Sequence, residues 1–262
     1  MNTHEEPSAS SIATVVSAAA VLQPLIVDLA ASDGATRTSV QTLVAAGYPW
    51  AGLSMQASHG LAMVGAWFNE MWSASSRIVV GDRYGKDWFR MAYHYFLVAQ
   101  CPQAQADVAL AAVHEAGGWD DGDLWLGVDI ERGEQPAGAT KSQVERSVSM
   151  FAERVLERTG KRPLLYAGSY TRDLGISSRM GCCLLWYPQW SSSLTWSTVA
   201  KMGWDMKTTL LWQCAGDGPA SVPGYPTLTP IGPEDFSIMV RDNLPAAQAI
   251  EWTRTHTGSS PT

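Results

Sequence analysis

The sequence predicts an α/β protein with one domain, an irregular (β/α) TIM-like barrel. Three observations carry this prediction. Eight short apolar, β-branched runs recur between residues 24 and 240. Segments with helical spacing alternate with them, which is the rhythm of βα units around a parallel sheet. The chain has 262 residues, close to the ~250 of a typical barrel of this kind. There is no internal repeat and no linker-like segment, so residues 24–244 form the predicted barrel. Residues 1–23 are an N-terminal extension and 245–262 a C-terminal helix and disordered tail.

The elements follow in order. Ile12 to Leu22 is mildly apolar and reads as a short helix leading into the domain. Pro24 to Leu29 reads as a buried strand carrying Asp28 near its end. Thr38 to Ala46 is a helix stopped by Gly47, and Trp50 to Met55 a second strand. From Leu61 to Ser76, the residues Leu61, Val64, Trp67, Phe68, Met71 and Trp72 share one broad helical face. Arg77 to Lys86 holds Gly81 and Gly85 and reads as an irregular excursion. Met91 to Leu97 is the third strand. Pro102 suits a first helical turn, and the Ala-rich helix it opens runs to Ala116 before Gly117-Gly118.

The second half repeats the rhythm. Leu124 to Ile130 is an apolar strand that ends in charge. Thr140-Lys141-Ser142-Gln143 resembles a capping box, followed by Val144, Val148, Phe151 and Val155 at helical spacing and by Gly160. Arg162 to Tyr166, Cys182 to Tyr187, Thr208 to Gln213 and Phe236 to Val240 complete the strands. Ser191 to Gly203 is poor in helix formers, so the barrel is expected to be irregular there.

Composition excludes several classes. A net charge of -7 lacks the basic footprint of a nucleic-acid binder. No run of 18 apolar residues exists, so no membrane span is expected. The acidic start, Met1-Asn2-Thr3-His4-Glu5-Glu6, is unlike the positive n-region of a secretory signal. The protein is then made in the cytoplasm and reaches any external substrate by another route. The cysteines, Cys101, Cys182, Cys183 and Cys214, have no C-x-x-C spacing, and Cys182-Cys183 read as small buried hydrophobes. Nucleotide, zinc-protease and nucleophile-elbow motifs are absent.

In barrels of this type the active site lies at the C-terminal ends of the strands. The acids there are Asp28, Asp129, Glu131 and Asp235. Alternation along a strand points Asp129 and Glu131 to the same side. Two neighbouring carboxyls cannot both ionise easily, so one pKa rises, which prepares one group as a general acid beside an anionic partner. Glycoside hydrolysis asks for such a pair. A salt bridge or helix cap is the alternative for a lone D-x-E, but acids at other strand ends favour the functional reading. Tyr93 and His94 on the third strand, with Tyr166, Trp186, Trp190 and Trp212, are candidates for substrate contact. His94 is either a core histidine or a cleft wall. Trp190 is the best candidate for an exposed sugar platform among the 12 tryptophans, because Trp is usually buried.

The ordered set of runs resembles glycoside hydrolase family 25, the Chalaropsis-type lysozymes. Ile26-Val27-Asp28 is similar to the family's opening strand, Met91 to Phe96 to its G-A-Y-H-F strand, and Ala104-Gln105-Ala106-Asp107 to the following helix. Val128-Asp129-Ile130-Glu131 matches its D-x-E motif. Arg162 to Tyr166, Leu185-Trp186-Tyr187, Leu211-Trp212-Gln213 and Glu234 to Ser237 resemble the later strands. The resemblance implies cleavage of the β-1,4 bond between N-acetylmuramic acid and N-acetylglucosamine in peptidoglycan glycan strands. Glu131 would be the general acid. Asp129 would serve as base or orient the substrate's N-acetyl group, with Asp28 and Asp235 completing an acidic floor. No metal or organic cofactor is implied. The chain departs from the family at Leu29 to Gly34, at Gln56-Ala57-Ser58-His59-Gly60, where charged residues are replaced, and at Ser237. Two settings follow: an active, phage-borne or otherwise delivered muramidase, or a lysozyme-like structural or binding protein of a virion or other assembly. A barrel hydrolase acting on another glycan is a third.

Overall fold

The structure is a computed structural model that describes residues 25–30, 50–76, 79–80, 83–84, 89–120, 123–191, 193–216 and 235–239. The helices expected at Ile12–Leu22 and Thr38–Ala46, and the C-terminal helix and tail, lie outside the described residues.

Eight strands close into a barrel in the order β1 (Leu25–Leu29), β2 (Trp50–His59), β6 (Phe89–Tyr95), β7 (Gly127–Ile130), β8 (Leu164–Ala167), β9 (Leu185–Pro188), β10 (Thr209–Ala215) and β11 (Asp235–Met239). β11 returns to pair with β1. Among the described residues, the helices between strands are α1 (Ala66–Ser75), α2 (Pro102–Glu115), α3 (Lys141–Thr159), α4 (Ser169–Asp173) and α5 (Trp196–Lys201). All eight predicted strands form. The expectation of a wholly parallel sheet fails at β11, which runs antiparallel to both neighbours. A parallel return needs a long crossover, usually helical. The sequence of 217–234 holds five prolines and no helical period, so it is poorly suited to supply one.

The first helix also starts later than its spacing suggests. Gly60 takes φ 54°, the chain turns, and the short strand β3 (Ala62–Met63) pairs back onto Ser58 and His59. Leu61 sits at the tip of that turn, 51% exposed. A glycine-permitted turn therefore overrides the helical period. Within Arg77–Lys86, β4 (Val79–Val80) and β5 (Arg83–Tyr84) pair as a separate two-stranded ribbon.

The strongest helix is α3. Thr140 accepts from the Gln143 backbone N–H, and Gln143 returns the bond to the Thr140 N–H. Such a cap contributes roughly 0.5–2 kcal/mol. Val144, Val148, Phe151 and Val155 are fully buried, each contributing roughly 1.5–3 kcal/mol of transfer free energy. Gly160 ends the helix at φ 72°. α2 begins at Pro102 as expected. Cys182, Cys183 and Cys214 are buried free thiols, whereas Cys101 is exposed. No described helix is long and apolar enough to cross a membrane.

The end of the barrel opposite the strand C-termini is fixed by a buried cation. Arg90, 3% exposed at the start of β6, donates to both oxygens of Asp123, to Asp120 Oδ2 at 2.9 Å and to the Trp72 carbonyl at 2.7 Å. Its guanidinium stands 4.1 Å from the Trp72 ring centroid. Removing one partner of a buried pair strands the other charge. Arg90→Ala is therefore expected to destabilise the domain by about 3–5 kcal/mol, read as a lower midpoint in urea unfolding. A shift below ~1 kcal/mol would mean that water reaches this site.

Candidate active site

The strand register assembles the acids. Asp28 on β1 stands directly opposite Asp235 on β11. Gln213 on β10 reaches both, its Nε2 donating to Asp235 Oδ2 at 2.8 Å and to Asp28 Oδ2 at 3.4 Å. Its Oε1 accepts from the Tyr166 hydroxyl at 2.6 Å. Asp129, third residue of β7, points into the barrel and is 7% exposed. Glu131 lies just past the end of β7 and is exposed.

The charges of these acids act on one another. Burial pushes the Asp129 carboxyl well above the usual carboxylate range, and Glu131 and Asp28 push it further. Its Oδ1 has no hydrogen-bond partner among the described residues. The Tyr166 phenol is raised by burial and then by the charges of Glu131, Asp129, Asp28 and Asp235, so all four carboxyls act on this hydroxyl. Of the four acids, Glu131 lines the cleft described below, and Asp28, Asp129 and Asp235 are not among its lining residues.

Glu131 opens onto a cleft of about 720 Å³. Tyr166, Tyr170, Tyr187, Gln189, Trp190 and two arginines, Arg132 and Arg172, line it. Trp190 is 64% exposed, as a platform requires. It lies directly over Gly216, where a Cβ would come within 2.4 Å of the indole ring.

Several sequence expectations are corrected here. His94 is a core residue. It is fully buried, bonded to Ser58 Oγ through Nδ1 at 2.8 Å and to Gln105 Oε1 through Nε2 at 3.2 Å, and stacked on Phe151. Strand alternation turns it outward towards α2 and α3, while Tyr93 and Tyr95 face the barrel. Burial depresses its pKa to about 3, so it stays neutral. Trp186 is 1% exposed, donates to Ser237 Oγ at 2.9 Å and packs edge-on to Tyr93 and Tyr166. Trp186 and Tyr93 thus fill the barrel beneath the acids and do not line the cleft. Trp212 faces away from the barrel interior and donates to the Gln189 carbonyl at 2.7 Å, pinning the loop that carries Trp190.

Sequence reasoning missed Tyr95, Gln213 and Gly216. Tyr95 shares the inward face of Tyr93, a signal that alternation alone offered. Burial and the charges of Asp129 and Glu131 push its phenol up to about 12. Among the described residues, no group of three or more His, Cys, Asp or Glu could hold a metal ion.

A cleft at the C-terminal mouth of a (β/α) barrel, with a carboxyl on its wall and further acids at neighbouring strand ends, is compatible with glycoside hydrolysis. Residues 36–221 match the model of glycosyl hydrolases family 25, and the chain belongs to that family. Solved structures share its fold. A muramidase from Acremonium alcalophilum is 20% identical with a TM-score of 0.64, covering 89% of this chain and all of its own. A family 25 lysozyme from Aspergillus fumigatus is 19% identical with a TM-score of 0.62, over 91% of this chain and all of its own. The catalytic domain of the endolysin ply40 from bacteriophage P40 of Listeria monocytogenes is 17% identical with a TM-score of 0.56, over 91% and 98%. No curated protein sequence matches the chain.

Two outcomes follow. The folded state binds the Asp129 proton more tightly than the unfolded chain does. That stabilisation is complete below the ordinary carboxylate pKa and is lost as pH rises through the raised one. Asp129→Asn cannot ionise, so its Tm should gain on the wild type between pH 4 and pH 8, by about 2–4 °C per kcal/mol. A Tm difference that is constant with pH would refute the buried proton. Gly216→Ala should displace the Trp190 ring, seen as a red-shifted tryptophan emission at nearly unchanged Tm. Unchanged emission would mean that the ring does not depend on this seat.

Proposed function

We propose that the protein is a lysozyme (N-acetylmuramidase) that hydrolyses the β-1,4 bond between N-acetylmuramic acid and N-acetylglucosamine in peptidoglycan. The observation that carries the reading is Glu131, an exposed carboxyl that opens onto a sugar-sized cleft and has three further acids behind it. The family supports this reading, as does likeness in fold to proteins described as muramidases and an endolysin.

In this mechanism Glu131 protonates the glycosidic oxygen as the bond from the anomeric carbon breaks, and water supplies the hydroxyl that carbon gains. Glu131 suits the task because it stands at the rim, where the leaving oxygen can reach it. Asp129 lies deeper and acts as base or orients the substrate's N-acetyl group. Asp28 and Asp235, joined by Gln213, form the acidic floor. Negative charge here favours the oxocarbenium-like transition state. Trp190 offers an apolar face to a sugar ring.

The open cleft favours an enzyme over a lysozyme-like scaffold of a virion or other assembly, for which filling by bulky side chains is expected. The substrate lies in the cell wall, and a bacteriophage is one carrier that would bring the enzyme to it. Purified protein should release new reducing ends from peptidoglycan. Glu131→Gln should lower that rate by roughly 10²–10⁴, the usual worth of a general acid, with its Tm retained. Equal rates for the two proteins on several wall preparations would sink the assignment of Glu131.

A further inference from the structure

The wall of the cleft beside Glu131 carries a concentration of positive charge in an acidic chain. Arg132 follows Glu131 on the loop after β7, and Arg172 lies on α4 after β8. Both line the cleft. They share a single carboxylate, Asp173. Arg132 Nη2 donates to Asp173 Oδ2 at 2.9 Å, and Arg172 Nε lies 3.6 Å from Asp173 Oδ1. Their side chains stay half-exposed or more, at 66% and 48%.

Two tyrosines hold the pair in place. The Arg132 guanidinium stands 5.5 Å over the Tyr170 ring. Arg172 lies near Tyr187, a wall residue of the cleft, and its charge works against the rise that burial gives the Tyr187 phenol. Asp173 is the carboxylate that both guanidiniums contact, and Glu131 is the acid beside them on the cleft wall. Each guanidinium has five N–H donors, more than Asp173 can take up. A planar fork fixed in advance loses little entropy when a second carboxylate arrives. A surface ion pair alone would contribute little, so the position of these groups in the cleft wall is what gives them a task.

We infer that Arg132 and Arg172 form a carboxylate seat that selects acid-bearing glycan over neutral glycan. This rests on the lysozyme reading above. Chitin-type chains of N-acetylglucosamine are uncharged. An N-acetylmuramic acid ring adds an O3 lactyl ether that ends in a carboxylate or continues into a peptide with carboxylates of its own. The seat lies beside the proton donor, so a carboxylate on a ring bound at Glu131 is within its reach. It also offsets locally the repulsion that the four acids exert on an anionic substrate.

The test compares wild type, Arg132→Gln/Arg172→Gln and Asp173→Asn. Their KM and kcat are measured on peptidoglycan glycan strands with peptides, on strands stripped of peptides, and on chitin oligosaccharides. Binding of N-acetylmuramic acid, muramyl dipeptide and N,N′-diacetylchitobiose is measured in a Glu131→Gln background. The double variant should raise KM on acid-bearing strands by about 10- to 100-fold, the worth of a hydrogen bond to a charged group, with kcat little changed. It should also flatten the dependence of KM on salt. Asp173→Asn, which frees both guanidiniums, should lower KM. N-acetylmuramic acid and muramyl dipeptide separate the lactyl from the peptide carboxylate as the occupant. An unchanged KM and salt slope, or an equal loss of affinity for chitobiose, would overturn the seat. If no strand is cleaved but muramyl dipeptide binds through the arginines, the seat stands and the lysozyme reading falls. Cleavage by wild type that is indifferent to the arginines gives the reverse.

Discussion

Like-charge repulsion at the barrel mouth is the constraint on which the rest of the site depends. Closing the barrel sets Asp28 against Asp235 on paired strands, an arrangement that costs energy when both are ionised. Gln213 answers it by donating one amide to both carboxyls while Tyr166 donates to its oxygen. A glutamine is the right length and has both functions in one side chain. Asp129 answers the same repulsion differently: burial and the charges of Glu131 and Asp28 raise its pKa, so it ionises less readily. The layer of Tyr93, Tyr166 and Trp186 below contributes to the low-dielectric surroundings that raise its pKa. The buried Arg90 network closes the far end of the barrel, where its own carboxylates balance it.

One strand end thereby produces two different carboxyls. Asp129 and Glu131 are two residues apart, but β7 ends between them at Ile130. The first is held inside by ladder geometry and the second emerges with the loop. Their separation in environment comes from the position of the strand terminus.

Much of this was legible in the sequence, for reasons that differ by element. The capping box at Thr140, the proline at Pro102 and the buried stripe of α3 are local signals, and local interactions decide them. The acids at Asp28, Asp129, Glu131 and Asp235 were legible because strand ends mark the working face of a barrel. The direction of β11 was not, since pairing direction is set by closure between distant segments. Leu61 was misread because a glycine turn two residues long interrupts a period without altering its apolar composition. His94, Trp186 and Trp212 were misassigned for one shared reason. An aromatic or imidazole ring suits a core and a cleft equally, and only the inward or outward phase of its strand separates the two.

That phase has an evolutionary consequence. On β6, Tyr93 and Tyr95 face the acids while His94 faces the helices. Deleting one residue within the strand would exchange these roles along its remainder. It would press an imidazole against the carboxyls and leave Ser58 and Gln105 without their ring. Replacing a side chain disturbs one neighbour at a time. Substitution is therefore easier to absorb in these strands than a change of length, although register shifts in several pairs show local irregularities. A lineage under this rule loses recognisable sequence well before it loses its architecture, which is the state in which this chain stands beside relatives of about 20% identity.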